Sequence, residues 1–272
     1  MAATINTNAM SLNAQRNLTT SQSSLALSVQ RLSSGLRVNS AKDDAAGLAI
    51  ADRMNSPAKG FKVAVRNASG GFSMAQTAES AMQAVTDNLQ RMRELAVQSA
   101  NGTYTSGDRG NLDTEYQQLS AEINRVVSGT TFNGQSVLNG SGSTAFQVGA
   151  GTAATDQITV QASSVSLSAV SGGGSVSGAS AASAAIGDID KQLTALNTAR
   201  ATWGAVQNRF SSVVDTLQVA SENAQAARGR LMDADFAQET ANMTRAQILQ
   251  QAGTAMVSQA NSMPNNVLSL LR

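Results

Sequence analysis

The stretch IDKQLTALNTARATWGAVQNRFSSVVDTL, Ile189–Leu217, carries Ile189, Leu196, Trp203, Phe210 and Leu217 at intervals of seven. An α-helix returns to nearly the same face every seven residues, so these side chains form one apolar stripe. Leu193 and Val214 widen it on one flank, Val206 and Val213 on the other. A two-helix seam is narrower than this, so the helix must be covered by more than one neighbour. Gly229 interrupts the pattern. Asp233 is placed to cap a final helix carrying Phe236, Met243, Leu249, Ala252, Met256 and Met263, and Pro264 is expected to end it.

The other end of the chain repeats the texture. Leu18, Leu25 and Leu32 are seven apart, with Val29 and Leu36 on the neighbouring seam position. A break is expected over 35–42, after which Ser40-Ala-Lys-Asp43 resembles a capping box, with Asp43 and Asp44 near a new helix start. Past a second break at Ser56-Pro57, Val65, Ala68, Phe72, Ala75, Met82, Val85, Leu89, Met92 and Ala96 follow three- and four-residue steps. Gly70-Gly71 weakens that helix, and Asn101-Gly102 closes it with C-terminal turn chemistry. Leu112, Leu119, Ile123 and Val126 mark a shorter helix folded back beside it. Ala145–Val148 and Gln157–Val160 alternate like two short strands around a turn. Ser163–Ala184 holds only Ser, Gly, Ala, Val and Leu, too little bulk for a core, and reads as a loop or surface tip.

Composition narrows the class. Hydrophobic residues make up 42% of the 272, but aromatics only 3% and charged residues 14%, with two prolines. That mixture suits slender, uninterrupted helices in close contact. Without histidine or cysteine the chain has no His-based triad, thiolate nucleophile, disulfide or His-containing zinc site. Asp43-Asp44 and Asp233-Ala-Asp235 are the close acidic sets, and both sit at expected helix starts, where capping explains them better than catalysis. Gly172-Gly-Gly174 lacks the lysine of a phosphate loop. No enzyme, cofactor or metal is expected. A net charge of +1 argues against nucleic acid. The longest apolar run, Ala45–Ala51, argues against a membrane span, and Met1-Ala-Ala-Thr-Ile does not read as a general secretory signal. By these rules alone the chain is expected in the cytoplasm, or outside the cell by another export route.

Residues 1–42 contain Arg16, Arg31, Arg37 and Lys42 but no acid, and no acid follows Glu239. Solvated helices carry more charge, so both ends read as helices that meet and are then covered. Arginine outnumbers lysine 15 to 4, which suits desolvated protein contacts. Copies whose ends pack on different surfaces of the next would grow an open helical filament. A large symmetric bundle would leave similar marks, and both readings stand on this evidence.

Longer motifs then carry a resemblance. Thr4–Arg16, Leu32–Ile50 (LSSGLRVNSAKDDAAGLAI), Leu89–Asn101 (LQRMRELAVQSAN) and Ala260–Arg272 (ANSMPNNVLSLLR) are similar to bacterial flagellin, in the right order at both ends. The likeness spans roughly 1–148 and 186–272. It implies a mainly α fold: a long antiparallel helical bundle or coiled coil with a small β-hairpin and a short Ser/Gly-rich outer segment. The implied division is 1–42 and 229–272 for an inner core domain. Residues 43–162 and 185–228 would form an outer-tube domain, and 163–184 a variable surface segment.

The same resemblance implies a subunit of the extracellular flagellar filament, exported unfolded by the flagellar type III system. Its implied partners are further copies of itself, an export chaperone at the C-terminal segment, and hook-associated junction and cap proteins. Leu18, Leu25, Val29, Leu32, Leu36, Met256, Val267, Leu268, Leu270 and Leu271 are the expected subunit-interface residues. Arg91, Leu95 and Glu115 match positions recognised by Toll-like receptor 5. A hook–filament junction protein, present in few copies, is the second reading. The flagellins that carry a protease need a His-Glu-x-x-His zinc helix, which a chain without histidine cannot supply. Ser56-Pro57-Ala58 and Ala68–Gly71 depart from the family pattern and are expected to alter the local helix path.

Overall fold

The computed structural model describes residues 7–139, 142–161 and 174–269. Five long helices dominate: α1 (Ala9–Ser34), α2 (Ala45–Ala100), α3 (Ser106–Gly129), α4 (Ala179–Met232) and α5 (Phe236–Ser269). Between α3 and α4 lie β1 (Thr131–Phe132), β2 (Gln135–Ser136), β3 (Ser143–Gln147) and β4 (Gln157–Gln161). The chain divides into two compact units, one of Met1–Ser56 with Asn223–Arg272 and one of Pro57–Glu222.

The second unit holds the large core. Ile189, Leu196, Trp203 and Phe210 of α4 are buried with Met82, Val85, Leu89, Met92 and Leu95 of α2 and with Tyr116 and Ile123 of α3. The wide stripe on α4 therefore meets two other helices and the β3–β4 hairpin, whose Phe146 ring stands edge-on to Phe210 at 5.3 Å. Turn chemistry joins α2 to α3. Arg109 donates from Nε to the Ser99 carbonyl (2.8 Å) and from Nη2 to the Asn101 carbonyl (3.0 Å), satisfying the end of α2. Thr105 and Asp108 form a reciprocal capping box for α3.

The expected strands pair antiparallel, with Phe146 opposite Ile158. A second hairpin, β1–β2, turns at Asn133 and Gly134, whose φ angles are 50° and 78°. A two-residue turn with both central φ positive is what Asn-Gly supplies at least strain.

Several expected interruptions do not occur. The helix α2 runs through Ser56-Pro57 and through Gly70-Gly71 without a break. Proline removes one backbone donor, which strands the Arg53 carbonyl. Arg53 is exposed, so water can take that carbonyl, while buried Ala51 and Ala58 hold the turns on either side. Gly71 has a packing role: a Cβ there would lie 2.8 Å from both ring Cε atoms of Phe210. Likewise α4 continues through Gly229 to Met232, and a Cβ at 229 would meet Asp233 Oδ2 at 2.8 Å. Pro264 does not end α5, which runs to Ser269.

The caps also shift by one or two residues. Asp44, not the Ser40–Asp43 pair, caps α2, its Oδ1 accepting from the Gly47 amide at 2.8 Å. Asp43 instead closes the preceding turn. The Ser40 hydroxyl, then the Asn39 and Ser40 amides, hold its carboxyl below the usual range. Asp235, not Asp233, caps α5, accepting from the amides of Ala237 (2.9 Å) and Gln238 (3.2 Å).

Of the Ser/Gly-rich segment, residues 162–173 lie outside those described. Its end is anchored. The Val176 amide donates to Asp113 (2.7 Å), its carbonyl accepts from the Ser99 hydroxyl, and its side chain is buried. Helix α4 begins at Ala179, earlier than the apolar rhythm alone suggests, because Ala182 and Ala185 already pack into the core.

Arg93 of α2 grips Asp190 of α4 through Nε (2.7 Å) and Nη2 (3.4 Å), which holds the Asp190 carboxyl below its ordinary range. A depressed carboxylate stabilises the fold fully above its unfolded pKa of about 4 and stops doing so as pH falls through the folded value. Asp190→Asn is expected to lower stability at neutral pH and to remove part of the loss on acidification. Denaturant melts of both chains from pH 7 to pH 2 measure this; parallel curves would show that the pair contributes nothing.

Candidate functional site

In the first unit α1 and α5 pack side by side and antiparallel. Asn8 caps α1, its Oδ1 accepting from the Ser11 amide (3.0 Å), while its Nδ2 donates to the Ala260 carbonyl (2.7 Å). Ser11 Oγ reaches Asn261 at 2.7 Å, and at the other end Arg31 meets Glu239 at 3.0 Å. The register therefore holds along the whole pair.

Apart from Arg31 and Asn242, the inward positions follow a heptad. On α1 these are Ser11, Ala14, Leu18, Ser21, Leu25, Ser28 and Leu32; on α5, Glu239, Met243, Ala246, Gln250, Gly253, Val257 and Ala260, all buried or partly so. Leu18, Leu25 and Leu32 thus occupy one seam position as expected, but Ser21 and Ser28 fill the other, and Val29 is 47% exposed. Small residues set the spacing. A Cβ at Gly253 would come within 3.2 Å of Leu18 Cδ1, a tight contact that glycine avoids at this close approach of the helices.

Gly35 ends α1 in the left-handed conformation (φ 70°). Its carbonyl accepts from the Ala234 amide (2.9 Å), the Arg37 amide donates to the Met232 carbonyl (2.6 Å), and Leu36 bridges Asp233. Val38, Ala51 and Met232 form a small core beside this link, with Leu36 packed on it.

Outward, the pair is unusually apolar. Among the described residues, Met10, Leu12, Leu27 and Val29 on α1 and Phe236, Ile248, Leu249, Met256 and Met263 on α5 are exposed large hydrophobics. A shallow groove of about 340 Å³ runs between Thr20, Ser24 and Leu27 on one side and Asn242, Arg245 and Leu249 on the other. Hydroxyls on these faces are already satisfied. Thr19, Thr20, Ser21, Ser23 and Ser24 each donate to the carbonyl four residues back at 3.0 Å, as does Thr244 at 2.9 Å. These hydroxyls can lose their water without being orphaned. Val267 and Leu268 fall in the last turn of α5, and Leu270 and Leu271 lie outside the described residues.

The other expected cluster is on α2 and α3. Arg91 donates from Nε to Glu115 and from Nη1 to Glu94, each at 2.9 Å; Glu115, then Glu94, raises the guanidinium pKa. Leu95 is not on that surface. At 1% exposure it belongs to the core. Among the described residues, no group of three or more His, Cys, Asp or Glu could hold a metal, and no helix is long and apolar enough to cross a membrane.

The family model for the bacterial flagellin N-terminal helical region matches residues 5–143, and that for the C-terminal helical region matches 186–271. The chain is 43% identical over 272 residues to the flagellin of Halalkalibacterium halodurans, covering 98% of this chain and 99% of that one. It is 42% identical over 287 residues to the flagellar filament 33 kDa core protein of Treponema phagedenis, with the same coverage. The crystal structure of Bacillus cereus flagellin superposes with a TM-score of 0.50 at 29% identity, over 56% of this chain and 88% of that one. With both helical regions matched and full-length relatives aligned, the chain belongs to the bacterial flagellin family, structural proteins of the extracellular flagellar filament rather than enzymes.

Proposed function

We propose that the outward faces of α1 and α5 are the surfaces on which copies of this chain join, and that the pair lines the inner tube of the filament. The carrying observation is where the exposed apolar residues lie: nine of the twelve large ones among the described residues are on these two helices. Burying the exposed halves of nine such side chains contributes on the order of 10 kcal/mol per subunit. A lone molecule forgoes this. Leu18, Leu25, Leu32 and Leu36 act indirectly, holding the pair in register, whereas Val29 and Met256 meet neighbours directly. Val267, Leu268, Leu270 and Leu271 are assigned to the same interface on the family resemblance.

In this reading segments 1–42 and 229–272 build the inner core, while 43–162 and 185–228 build the outer tube. The expected variable segment 163–184 ends earlier than that, since Val176 and Ala182 are buried in the core and α4 begins at Ala179. The chain leaves the cell unfolded through the flagellar type III system, its C-terminal segment held by an export chaperone, and the finished filament is bounded by hook-associated junction and cap proteins. Free monomer presents the Arg91–Glu115 surface to Toll-like receptor 5, with Leu95 supporting it from beneath. As the bulk subunit it dominates sheared filaments; a hook–filament junction protein would be a trace band there.

Removal of Val267–Arg272 tests the assembly surface. Export is expected to continue while growth of straight, stable filaments stops, read by electron microscopy of the culture and by the amount of secreted monomer. Normal filaments from the truncated chain would overturn the assignment.

A further inference from the structure

The chain's ten methionines fall into distinct environments. Met74, Met82, Met92 and Met232 are buried, at 5% exposure or less. Met10, Met256 and Met263 stand 53%, 61% and 45% exposed. These three gather at one end of the α1–α5 pair. Asn8 and Ser11 are hydrogen-bonded to Ala260 and Asn261, which places Met10 beside the turns that carry Met256 and Met263. Met256 and Met263 also continue the exposed stripe begun by Leu249, at seven-residue intervals.

We infer that Met10, Met256 and Met263 are sites of sulfoxide formation by hydrogen peroxide on the free subunit, and that this modification blocks its addition to a filament. A lone pair on each sulfur attacks one peroxide oxygen. The O–O bond breaks, and after proton transfer the other oxygen leaves as water. Sulfur is oxidised by two electrons and peroxide is reduced. The product replaces a flexible apolar side chain with a polar, chiral one.

Two hydroxyls near these sulfurs are already engaged. Thr254 Oγ1 is committed to the Gln251 carbonyl at 2.8 Å, and Ser262 Oγ to that of Gln259 at 2.8 Å. The free monomer tolerates the change, because water solvates the sulfoxide. A neighbouring subunit that expelled this water would leave the acceptor unpaired. Assembly covers the same sulfurs, so finished filament resists the oxidant. The consequence for growth rests on the proposed assembly surface; the choice of oxidised residues rests on exposure alone.

The test treats purified monomer with dilute hydrogen peroxide, maps sulfoxides by peptide mass, and measures extension of sheared filament seeds by electron microscopy. Sulfoxides are expected at Met10, Met256 and Met263 before Met74, Met82, Met92 and Met232. Extension is expected to fall on the order of tenfold for each sulfoxide buried. Methionine sulfoxide reductase should restore it, and a Met10→Leu/Met256→Leu/Met263→Leu chain should extend equally with and without peroxide. Preformed filaments should show the three sites protected. Undiminished extension with all three sites oxidised would overturn the inference. So would earlier oxidation of the buried methionines, or loss of extension that the reductase does not reverse. Failure of untreated wild-type monomer to extend seeds would sink the assembly reading instead, while the peptide map would still decide the sites.

Discussion

A chain carrying Leu249→Lys with Met256→Lys is expected to fold like the wild type and to form no filament. The monomer half of that result follows from exposure, 50% at Leu249 and 61% at Met256. A lysine at either position keeps its ammonium in water, so each change should move stability by no more than about 0.5 kcal/mol. The assembly half follows from the charge map. Residues 1–42 contain no acid and none follows Glu239, whose carboxylate is buried against Arg31, so the terminal helices of other copies offer no free carboxylate side chain to receive the new charges. An unpaired ammonium taken out of water costs several kcal/mol. That penalty recurs in every subunit, and it opposes a contact set worth on the order of 10 kcal/mol. Thermal melts of the monomer should overlay, while seeds incubated with the variant should not lengthen. Seeds that grow at the wild-type rate would remove this face from the interface.

The second large effect lies in the core, where Gly71 and Phe210 form a coupled pair. Phe210 is fully buried and meets Phe146 edge-on. Phe210→Ala should cost about 3–5 kcal/mol through lost transfer energy and the cavity left behind. Gly71→Ala should also destabilise, by about 1–3 kcal/mol, because its methyl would enter space the ring fills. In the Phe210→Ala background the sign reverses. The added methyl then occupies part of the cavity, and alanine is better than glycine in a helix by about 1 kcal/mol. Gly70→Ala provides the control. Nothing lies within 4 Å of a Cβ there, so this neighbour should gain stability in the wild-type chain. Urea titration of the four chains and the control measures the coupling; additive effects of Gly71→Ala and Phe210→Ala would show that the ring does not dictate the glycine.

This pair shows why local rules misplace interruptions. Read along the chain, Pro57, Gly70-Gly71, Gly229 and Pro264 are all helix weakeners, and each is crossed by a helix. A glycine's cost of about 1 kcal/mol is small beside the packing of a long buried stripe. Gly71 is placed for a ring on another helix, a fact with no trace in its neighbours along the chain. The Asn133-Gly134 hairpin is the opposite case. Its signal is local and strong, but strands of two residues show no alternation to draw the eye. The caps at Asp44 and Asp235 were within one or two residues of the expected acids, since several carboxylates compete at each helix start and backbone geometry chooses among them.

Seven-residue spacing was enough to specify long helices and their breadth of burial, and two-residue alternation the β3–β4 strands, because period and alternation are properties of consecutive residues. Long motifs at both ends were enough to indicate the family. Sidedness was not. Apolar spacing puts Val29 in the α1 seam, yet Ser28 faces α5 and Val29 faces out. Leu95 likewise reads as a surface contact and lies in the core. Hydrophobicity says which side chains leave water but carries no direction, so it cannot say which neighbour takes them. Three-dimensional packing makes that choice: Gly253 and the seam serines let α1 and α5 lie close, and the larger apolar residues are left facing outward.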